Sequence, residues 1–343
     1  MNKKETAICI IVTIWSMLFS GCLKQTDESI YIKAPTKIRI AQIIAISESE
    51  PFIFFNQSYI DKNKTSWIIF TSGNEVIKAI QKGEVDIAYV GTSNPILATQ
   101  SNQNFKIISG TNAGSQAFIV RSDAKIRSIC DLRNKTIAIH GWGTPNEILV
   151  KSVILPRCNL SPSDTKFVIV KPPEQMIKLR EGTIDAVEAH EPWVSRIILN
   201  SKGNGRILVD SHELWRNGSY PTATVVARTE FIKKHPELVK EFLRAHVDAV
   251  LFANSHPEET KKIVHDEILR LSGKELPMKV IESAFTRVKL TYDPQVDAVM
   301  ELANFTHQAY PDMLPRIPTK KELFDLSLLN EVLAEKGLPP VKT

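Results

Sequence analysis

The sequence predicts an α/β protein built from two similar lobes. One pattern occurs twice: residues 79–90 and 178–189 each contain a helix end, a glycine, one polar residue, an aliphatic–Asp pair and a short apolar run. Gly83 and Gly182 suit a helix C-terminus, because glycine adopts positive φ without steric cost. The run after each Asp predicts a buried parallel strand. Two such units favour two lobes with a ligand between them.

Strands and helices alternate along most of the chain. Strands are predicted at residues 37–42, 67–70, 87–90, 105–109, 117–120, 136–140, 167–170, 185–189 and 222–227. Helices are predicted at residues 75–82, 146–155, 174–180, 230–254, 260–271, 277–288, 294–310 and 320–336. The alternation predicts a mostly parallel sheet in each lobe, and the last five helices form a helical C-terminal region.

Two of these strands bracket the middle of the chain. A lobe that the chain enters near residues 117–121 and leaves near residues 222–227 has two hinge strands, and this geometry permits closure on a ligand. We therefore predict that residues 37–118 and 223–343 form lobe 1 and residues 119–222 form lobe 2.

The N-terminus predicts export. Lys3 and Lys4 precede an apolar run over residues 7–19, which is shorter than the ~20 residues of a membrane-spanning helix and suits a signal peptide over residues 1–21. Phe19-Ser20-Gly21-Cys22 resembles a lipobox, which implies cleavage before Cys22 and a diacylglyceryl anchor on its sulfur. The alternative is an ordinary secretory signal with an incidental cysteine. Residues 22–36 are polar and form a tether, so we expect a protein anchored on the outer face of the membrane or in the periplasm.

Charge and cysteine content exclude several classes. The 43 Lys and Arg nearly balance the 38 Asp and Glu, without the basic cluster that nucleic acid requires. No Cys-x-x-Cys or Cys/His ligand spacing occurs, so neither a metal nor a cofactor is predicted.

Cys130 precedes the strand at 136–140 and Cys158 follows the next helix, at the same edge of an α/β layer. Outside the cell these two could form a disulfide, and two buried free thiols are the alternative.

Three loops follow strands and open helices. Ligands of open α/β sheets bind outside the carboxyl ends of strands, and helix N-termini favour small anions. The loops are Thr71-Ser72-Gly73, Gly91-Thr92-Ser93 and Gly143-Thr144. Ordinary helix caps have the same composition, but three such loops in both lobes favour a binding site.

The sequence predicts where the ligand's acidic group lies. We expect it on the helix N-terminus at Gly143-Thr144, with Ser72 and Thr92-Ser93 completing the pocket from the opposite lobe. The loop from Asn112 to Ser115 is the alternative anion site.

Several motifs in this order resemble the solute-binding proteins of ABC importers in the sulfonate/nitrate/taurine family. They span residues 37–250 and include Asp86-Ile-Ala-Tyr-Val-Gly91, Gly114-Ser115, Ile129-x-Asp131-Leu132, Gly143-Thr144 and Glu191-Pro192-Trp193. The resemblance implies a type II periplasmic-binding-protein-like fold and a monomer that delivers a small anionic or zwitterionic solute to a permease and its ATPase. Two alternative functions remain. The chain could bind thiamine-pyrimidine precursors, as some relatives of the fold do, or it could be a ligand-sensing receptor domain.

Two departures from the family pattern lie at the mouth of lobe 1. Residues 54–66 lack the glycines that family members carry before the second strand, and Thr92 stands where Asp is common. At the other lobe, Glu191 either accepts a hydrogen bond from a ligand amine or braces the hinge. Trp193 and Trp142 could form an apolar wall, although a buried Trp is more often core.

No enzyme motif is present. The sequence contains no Gly-x-Ser-x-Gly, His-Glu-x-x-His or phosphate-loop pattern. His190 and Glu191 are adjacent at a strand end, so their side chains point to opposite faces and cannot form a dyad. We therefore do not expect catalysis.

Overall fold

A computed structural model describes residues 37–342 except 102–103, 201–203, 216–217 and 219. The predicted signal peptide, Cys22 and the tether lie outside these residues. The strands are β1 (Ile38–Gln42), β2 (Thr65–Ile69), β3 (Ile87–Gly91), β4 (Phe105–Gly110), β5 (Asn112–Gly114), β6 (Gln116–Arg121), β7 (Thr136–Ile139), β8 (Lys166–Ile169), β9 (Ala186–His190), β10 (Gly205–Asp210), β11 (Ala223–Arg228) and β12 (Val288–Leu290).

The helices include short and long segments. They are α1 (Glu50–Asn56), α2 (Gly73–Gln81), α3 (Ser93–Ala98), α4 (Pro145–Leu149), α5 (Pro172–Glu181), α6 (Trp193–Asn200), α7 (Ser211–Leu214), α8 (Thr229–Lys234), α9 (Pro236–Ser255), α10 (Pro257–Ser272), α11 (Met278–Ala284), α12 (Val296–Ala309), α13 (Lys320–Leu323) and α14 (Ser327–Glu335). Segment 54–66, whose departure from the family pattern was noted, contains the end of α1 and a short 3₁₀ turn at Lys62–Lys64.

The strands form two five-stranded sheets with the same layout. The first sheet has the order β2-β1-β3-β11-β4 and the second has the order β8-β7-β9-β6-β10. In each, three strands run parallel, and the next two pairings are antiparallel. The α/β prediction is confirmed, but the sheets are mixed because each receives a strand that enters from the other half of the chain and runs in the opposite direction.

The repeated sequence pattern has the same structural role in both sheets. Asp86 accepts a hydrogen bond from the backbone N–H of Arg39 (3.1 Å), and its own N–H donates to the Arg39 carbonyl (3.0 Å). Asp185 forms the same pair of bonds with Thr136 (2.9 and 2.8 Å). Each Asp therefore holds the start of the neighbouring parallel strand in register.

The glycines of the pattern also behave as predicted. Gly83 and Gly182 both have φ of 73°; Gly83 follows the C-cap residue of α2, and Gly182 is itself the C-cap residue of α5. A side chain at Gly182 would also collide with Arg121, because its Cβ would lie 2.1 Å from Nη1.

The chain passes between the sheets in two crossover segments, residues 111–115 between β4 and β6 and residues 211–222 between β10 and β11. They contact each other: the Gly114 N–H donates to the Tyr220 carbonyl (3.0 Å), and the Thr222 hydroxyl donates to the Gly114 carbonyl (2.6 Å). Gly114 has φ of 88°, and a Cβ there would lie 2.1 Å from the Arg287 carbonyl oxygen. Only glycine fits this crossing. The lobe boundaries at 118/119 and 222/223 stay a prediction.

The C-terminal region differs from its prediction in detail. The helix expected at 230–254 is broken at His235, before Pro236, into α8 and α9. The helix expected at 277–288 ends at Ala284, and β12 then pairs with β5 of the first crossover. Strand pairing therefore holds the C-terminal segment against the first crossover. Helical periodicity in the sequence does not reveal such pairing.

The side chains of Cys130 and Cys158 are joined in a disulfide, with their Cα atoms 5.1 Å apart. Cys130 lies in a 3₁₀ turn, Ile129–Leu132, before β7. Cys158 ends the Leu155–Cys158 turn, where the helix that begins as α4 terminates. The bond therefore ties the entry of the strand to the end of the helix that follows it.

Candidate functional site

The carboxyl ends of strands in both sheets lie at the crossovers. In the first sheet Gly91 at the end of β3 pairs with Ala223, the first residue after the second crossover. In the second sheet Gln116, the first residue after the other crossover, pairs with His190 at the end of β9. The six steps from Gly110 to Gln116 span at most about 20 Å. The carboxyl-end edges of the two sheets are therefore close to each other. Ligands of α/β folds usually bind at such edges.

The loop at Ser72-Gly73 packs against the next loop. The Ser72 hydroxyl caps α2 by accepting from the Glu75 N–H (3.4 Å). A Cβ on Gly73 would lie 2.6 Å from Oδ1 of Asn94, whose amide donates to Asn74 (3.0 Å). A side chain at Gly73 would therefore displace the Asn94 amide from its contact between the two loops.

Thr92 binds the second crossover. Its hydroxyl donates to the Pro221 carbonyl (2.6 Å), and its N–H donates to the Thr222 carbonyl (3.1 Å). An Asp at this position, as the family often has, could not donate to a carbonyl through its ionised side chain. The hydroxyl of Thr92 is thus engaged within the protein, and Ser93 beside it is the buried first residue of α3.

The helix N-terminus at Gly143-Thr144 already holds a carboxylate. The Gly143 N–H donates to Oε2 of Glu147 (2.9 Å), and the Thr144 hydroxyl donates to the Gly141 carbonyl (2.6 Å) and contacts the Asn146 side chain. The donor that the sequence assigned to the ligand's acidic group is therefore occupied by the chain's own Glu147.

Glu147 joins α4 to the C-terminal helices. Its buried carboxylate accepts from the Tyr310 hydroxyl, just beyond α12, and forms an ion pair with Lys151. Burial acts to lower the pKa of Lys151, but its hydrogen bond and ion pair with Glu147 outweigh burial and raise this pKa above its usual value. A Cβ on Gly143 would lie 3.0 Å from the Met313 sulfur. The loop that carries Gly143-Thr144 is therefore packed against residues 310–313.

The alternative anion loop retains unused donors. Asn112 and Ser115 are fully buried, and among the described residues neither the Asn112 Nδ2 nor the Ser115 hydroxyl has a hydrogen-bond partner. The Asn112 Oδ1 accepts from the Thr111 hydroxyl (3.0 Å), which leaves its amide nitrogen as the free end. Ser115 has φ of 83°, an uncommon conformation for serine.

Glu191 makes the contacts of a brace. Its carboxylate accepts from the N–H and hydroxyl of Ser195 (3.1 and 3.0 Å) and pairs with Arg287 (3.1 Å). Its N–H donates to the Ser115 carbonyl (2.7 Å), so it connects the first crossover to α6 and to the C-terminal segment. Trp193, at the start of α6, lies under the Arg196 guanidinium, 4.9 Å from the ring centre.

Sequence reasoning missed several buried polar side chains at this edge. Gln42, Gln116 and Glu188 are fully or almost fully buried, and each has polar atoms without a partner among the described residues. Glu188 could have been identified from the sequence, because it is a charged residue inside the apolar run of β9. The sequence does not distinguish Gln42 and Gln116 as site residues, since a polar residue at a strand end is ordinary.

Glu188 lies in a polar cluster in the second sheet. Asn146 of α4 donates to its carbonyl (3.5 Å), and Tyr220 of the second crossover is close enough for the charge of Glu188 to contribute to its pKa. Burial raises the pKa of Glu188 to about 8. Burial also raises the pKa of Tyr220, so burial favours the neutral form of both groups at pH 7.

A second buried acidic cluster lies beside the first sheet. Burial raises the pKa of Glu48 to about 8 and that of Glu50 further above its usual value. Their charges also affect Tyr89, whose hydroxyl is hydrogen-bonded to Nδ1 of His246 (2.8 Å). Burial lowers the pKa of His246 to about 3, so its ring is neutral.

Within the described part of the chain no group of three or more His, Cys, Asp or Glu side chains is arranged to hold a metal ion. None of the helices described is both long and apolar enough to cross a membrane.

Comparison with known proteins finds one family model and relatives that are named as binding proteins. A family model described as the NMT1-like family matches residues 33–266. The taurine-binding periplasmic protein of Escherichia coli (strain K12) is 28% identical over 213 residues, which cover 60% of this chain and 63% of that protein. A Bacillus subtilis (strain 168) protein named for binding aliphatic sulfonates is 25% identical over 278 residues, 79% of each chain. The match thus spans less than two thirds of the taurine-binding relative.

The fold has close neighbours among solved structures. The periplasmic aliphatic sulphonate binding protein SsuA from Escherichia coli superimposes with a TM-score of 0.72 at 19% identity. The match covers 85% of this chain and 98% of SsuA, so the likeness extends over both sheets and the helical C-terminal region. At this identity it establishes a shared fold.

Proposed function

Because this chain belongs to the NMT1-like family, whose model matches residues 33–266, we propose that it is the exported solute-binding component of an ABC importer. It captures a small anionic or zwitterionic solute of the sulfonate, taurine or nitrate class and delivers it to a permease and its ATPase. The solute is not changed chemically, so the protein is not an enzyme. The names of the relatives support the solute class.

The observation that carries this proposal is the set of unpartnered polar atoms at the crossovers. Gln42, Asn112, Ser115, Gln116 and Glu188 are buried away from water without full hydrogen bonding among the described residues. Each such group costs about 1–3 kcal/mol when no partner replaces water. A polar solute supplies the missing partners, which makes this edge a site for binding rather than part of a closed core.

Closure about the crossovers explains capture and release. We propose that lobe 1 (residues 37–118 and 223–343) and lobe 2 (residues 119–222) move about the two crossover segments. The contacts of Thr92 with the second crossover and of Glu191 with the first support these segments as fixed pivots. The acidic group of the solute is held by neutral donors, so its release does not require separation from a buried cationic side chain when the lobes move apart.

Ligand binding should raise the melting temperature. A solute that binds only the native state adds about 2.7 kcal/mol of stability at a hundredfold excess over its Kd. The measurement is a thermal-shift screen with taurine, alkanesulfonates, nitrate, bicarbonate and pyrimidines, with sodium chloride at equal ionic strength as the control. A shift only with pyrimidines would move the protein to the thiamine-precursor binders, and no shift with any compound would refute the proposed function.

We further propose that the exported protein is lipid-anchored through Cys22. Replacing Cys22 with serine removes the sulfur that the lipid would modify, so the protein should leave the membrane fraction or remain unprocessed. Fractionation of cells that express each form measures this. Cys130→Ser is the control, because it also removes a cysteine but should not change the fraction. Membrane attachment that survives Cys22→Ser would show that the anchor lies elsewhere.

A further inference from the structure

Glu188 is buried within β9, close to the strand end that meets the crossover. In the antiparallel pair of β6 and β9, Phe118 lies opposite Glu188 and Gln116 lies opposite His190. Residues directly opposite each other share a face of the sheet, as do alternate residues along a strand, so Gln116 and Glu188 project from the same face. Gln116 is the first residue after the crossover. Glu188 is therefore two residues, about 7 Å, inside the strand-end edge.

Its carboxyl group differs from those of three other buried acidic residues and resembles that of Glu50, whose two carboxyl oxygens also have no partner among the described residues. Glu188 is distinguished from Glu50 by its place in β9, on the sheet face that it shares with Gln116 at the crossover edge. Asp86, Glu147 and Glu191 have similarly buried side chains, and each forms an ion pair with an Arg or Lys side chain. Among the described residues neither carboxyl oxygen of Glu188 has a hydrogen-bond partner. A buried ionised carboxylate is costly unless it is paired. The pairing group for Glu188 is therefore to be sought outside the chain.

We propose that Glu188 receives the ammonium group of the solute, so that the ligand is an aminosulfonate-type zwitterion and not a simple anion such as nitrate. This inference rests on the proposed function, because it assigns the charge of the solute that the same site binds.

The number of free acceptors fits an ammonium group. An ammonium has three N–H donors. On this face three buried acceptor oxygens have no partner in the described part of the chain, namely the two carboxyl oxygens of Glu188 and Oε1 of Gln116. The free donors, Nδ2 of Asn112 and the hydroxyl of Ser115, lie on the adjoining crossover and suit the oxygens of the acidic group. Acceptors and donors are thus separated along the chain, as the two ends of a zwitterion require.

Burial also explains how the empty site tolerates this residue. Because burial raises the pKa of Glu188 to about 8, the free protein holds the carboxyl neutral at pH 7. An opposite charge nearby favours the ionised form, so the ammonium replaces the proton when it binds.

The test is a pair of ligands that differ in one group. Taurine (2-aminoethanesulfonate) and isethionate (2-hydroxyethanesulfonate) share the sulfonate and the two-carbon chain, and only taurine carries the ammonium. Isothermal titration calorimetry of the full chain should show that taurine binds about 10- to 100-fold more tightly, the range of a charge-assisted hydrogen bond. In Glu188→Gln this ratio should fall to within about threefold of one.

Glu48→Gln is the matched control. Glu48 is equally buried and its pKa is likewise raised to about 8, but it lies in the other acidic cluster, with Glu50 and Tyr89. We expect this variant to keep the taurine preference. A melting temperature for unliganded Glu188→Gln at or above that of the wild type would exclude a structural role, since the wild-type carboxyl has no hydrogen-bond partner among the residues that the structure describes.

The possible outcomes distinguish the role of Glu188 from the proposed function itself. Equal binding of both sulfonates, or a taurine preference that persists in Glu188→Gln or disappears in Glu48→Gln, would overturn the role of Glu188 while leaving sulfonate binding intact. Absence of binding by both compounds and by the whole screening panel would refute the proposed function and this inference with it.

Discussion

Replacing Asp86 with alanine should lower the free energy of unfolding by about 3 kcal/mol, towards the lower end of the range for breaking a buried ion pair. Asp86 accepts hydrogen bonds from the N–H and guanidinium of Arg39 (3.1, 2.9 and 2.6 Å) and from the guanidinium of Arg228 (2.9 Å). Its side chain is only 2% exposed. The lower end applies because the Arg39 and Arg228 side chains, 36% and 17% exposed, regain water when the carboxylate is removed.

The pH dependence of this loss follows from the pKa of Asp86. Burial acts to raise this pKa, but the hydrogen bonds from Arg39 and Arg228 outweigh burial and hold it below its usual 3.8. A depressed folded-state pKa contributes stability above the unfolded-state pKa and loses it as the pH falls through the folded-state value. The difference between wild type and Asp86→Ala should therefore be full at pH 7 and shrink below about pH 4.

Urea unfolding at pH 7 and at lower pH measures both effects. Asp185→Ala is the matched control, because Asp185 is the equivalent residue of the second sheet. Its side chain is 20% exposed, and its ion pair with Arg121 is longer (3.5 Å). We expect a loss of only about 1 kcal/mol, the net value of a typical hydrogen bond. Equal losses for the two variants would contradict the view that burial makes the first copy the stronger one.

Removing the disulfide should destabilise the protein by roughly 3–4 kcal/mol, the value that chain entropy gives for a closed loop of this size. Cys130 and Cys158 are 28 residues apart in sequence, and the bond ties the turn before β7 to the end of the helix that starts as α4. Because the constraint acts on the unfolded chain, β7 and α4 should remain folded in the variant.

Urea unfolding of the double variant Cys130→Ser and Cys158→Ser, in a form that begins after Cys22, measures this loss. Dithiothreitol should lower the stability of the wild type to that of the variant and leave the variant unchanged. Alkylation gives an independent check. Two reactive thiols in the unreduced, denatured wild type would mean that the bond does not form.

Local signals allowed much of the fold to be predicted. The two Gly–x–aliphatic–Asp patterns located β3 and β9, and the positive φ of Gly83 and Gly182 follows from the steric freedom of glycine. Strand β12 was assigned to a helix, because its three residues are strand only through pairing with β5, about 175 residues earlier. The break at His235 carried a local signal in Pro236, but amphipathic periodicity on both sides obscured it.

The site was predictable as a location, but the roles of its residues were not. The loops at Ser72, Thr92 and Thr144 do follow strands, as sequence reasoning required, yet the structure uses each of their hydroxyls for an internal hydrogen bond. Whether a hydroxyl is free depends on carbonyl groups that other segments bring to it. Thr92, for example, is bound to Pro221, which is 129 residues away.

The sequence by itself determined the α/β class and the repeated Asp-centred unit, because these depend on short-range spacing and on glycine geometry, and its motifs and the family model place the chain in the NMT1-like family. The tertiary structure alone decided which polar groups at the crossovers are left without partners. The carboxyl of Glu147 occupies the Gly143 N–H, while Glu188, Gln116 and Ser115 keep atoms that have no partner among the described residues. The physical reason is that hydrogen bonding inside a protein depends on neighbours distant in sequence, and burial makes each unpaired polar group costly.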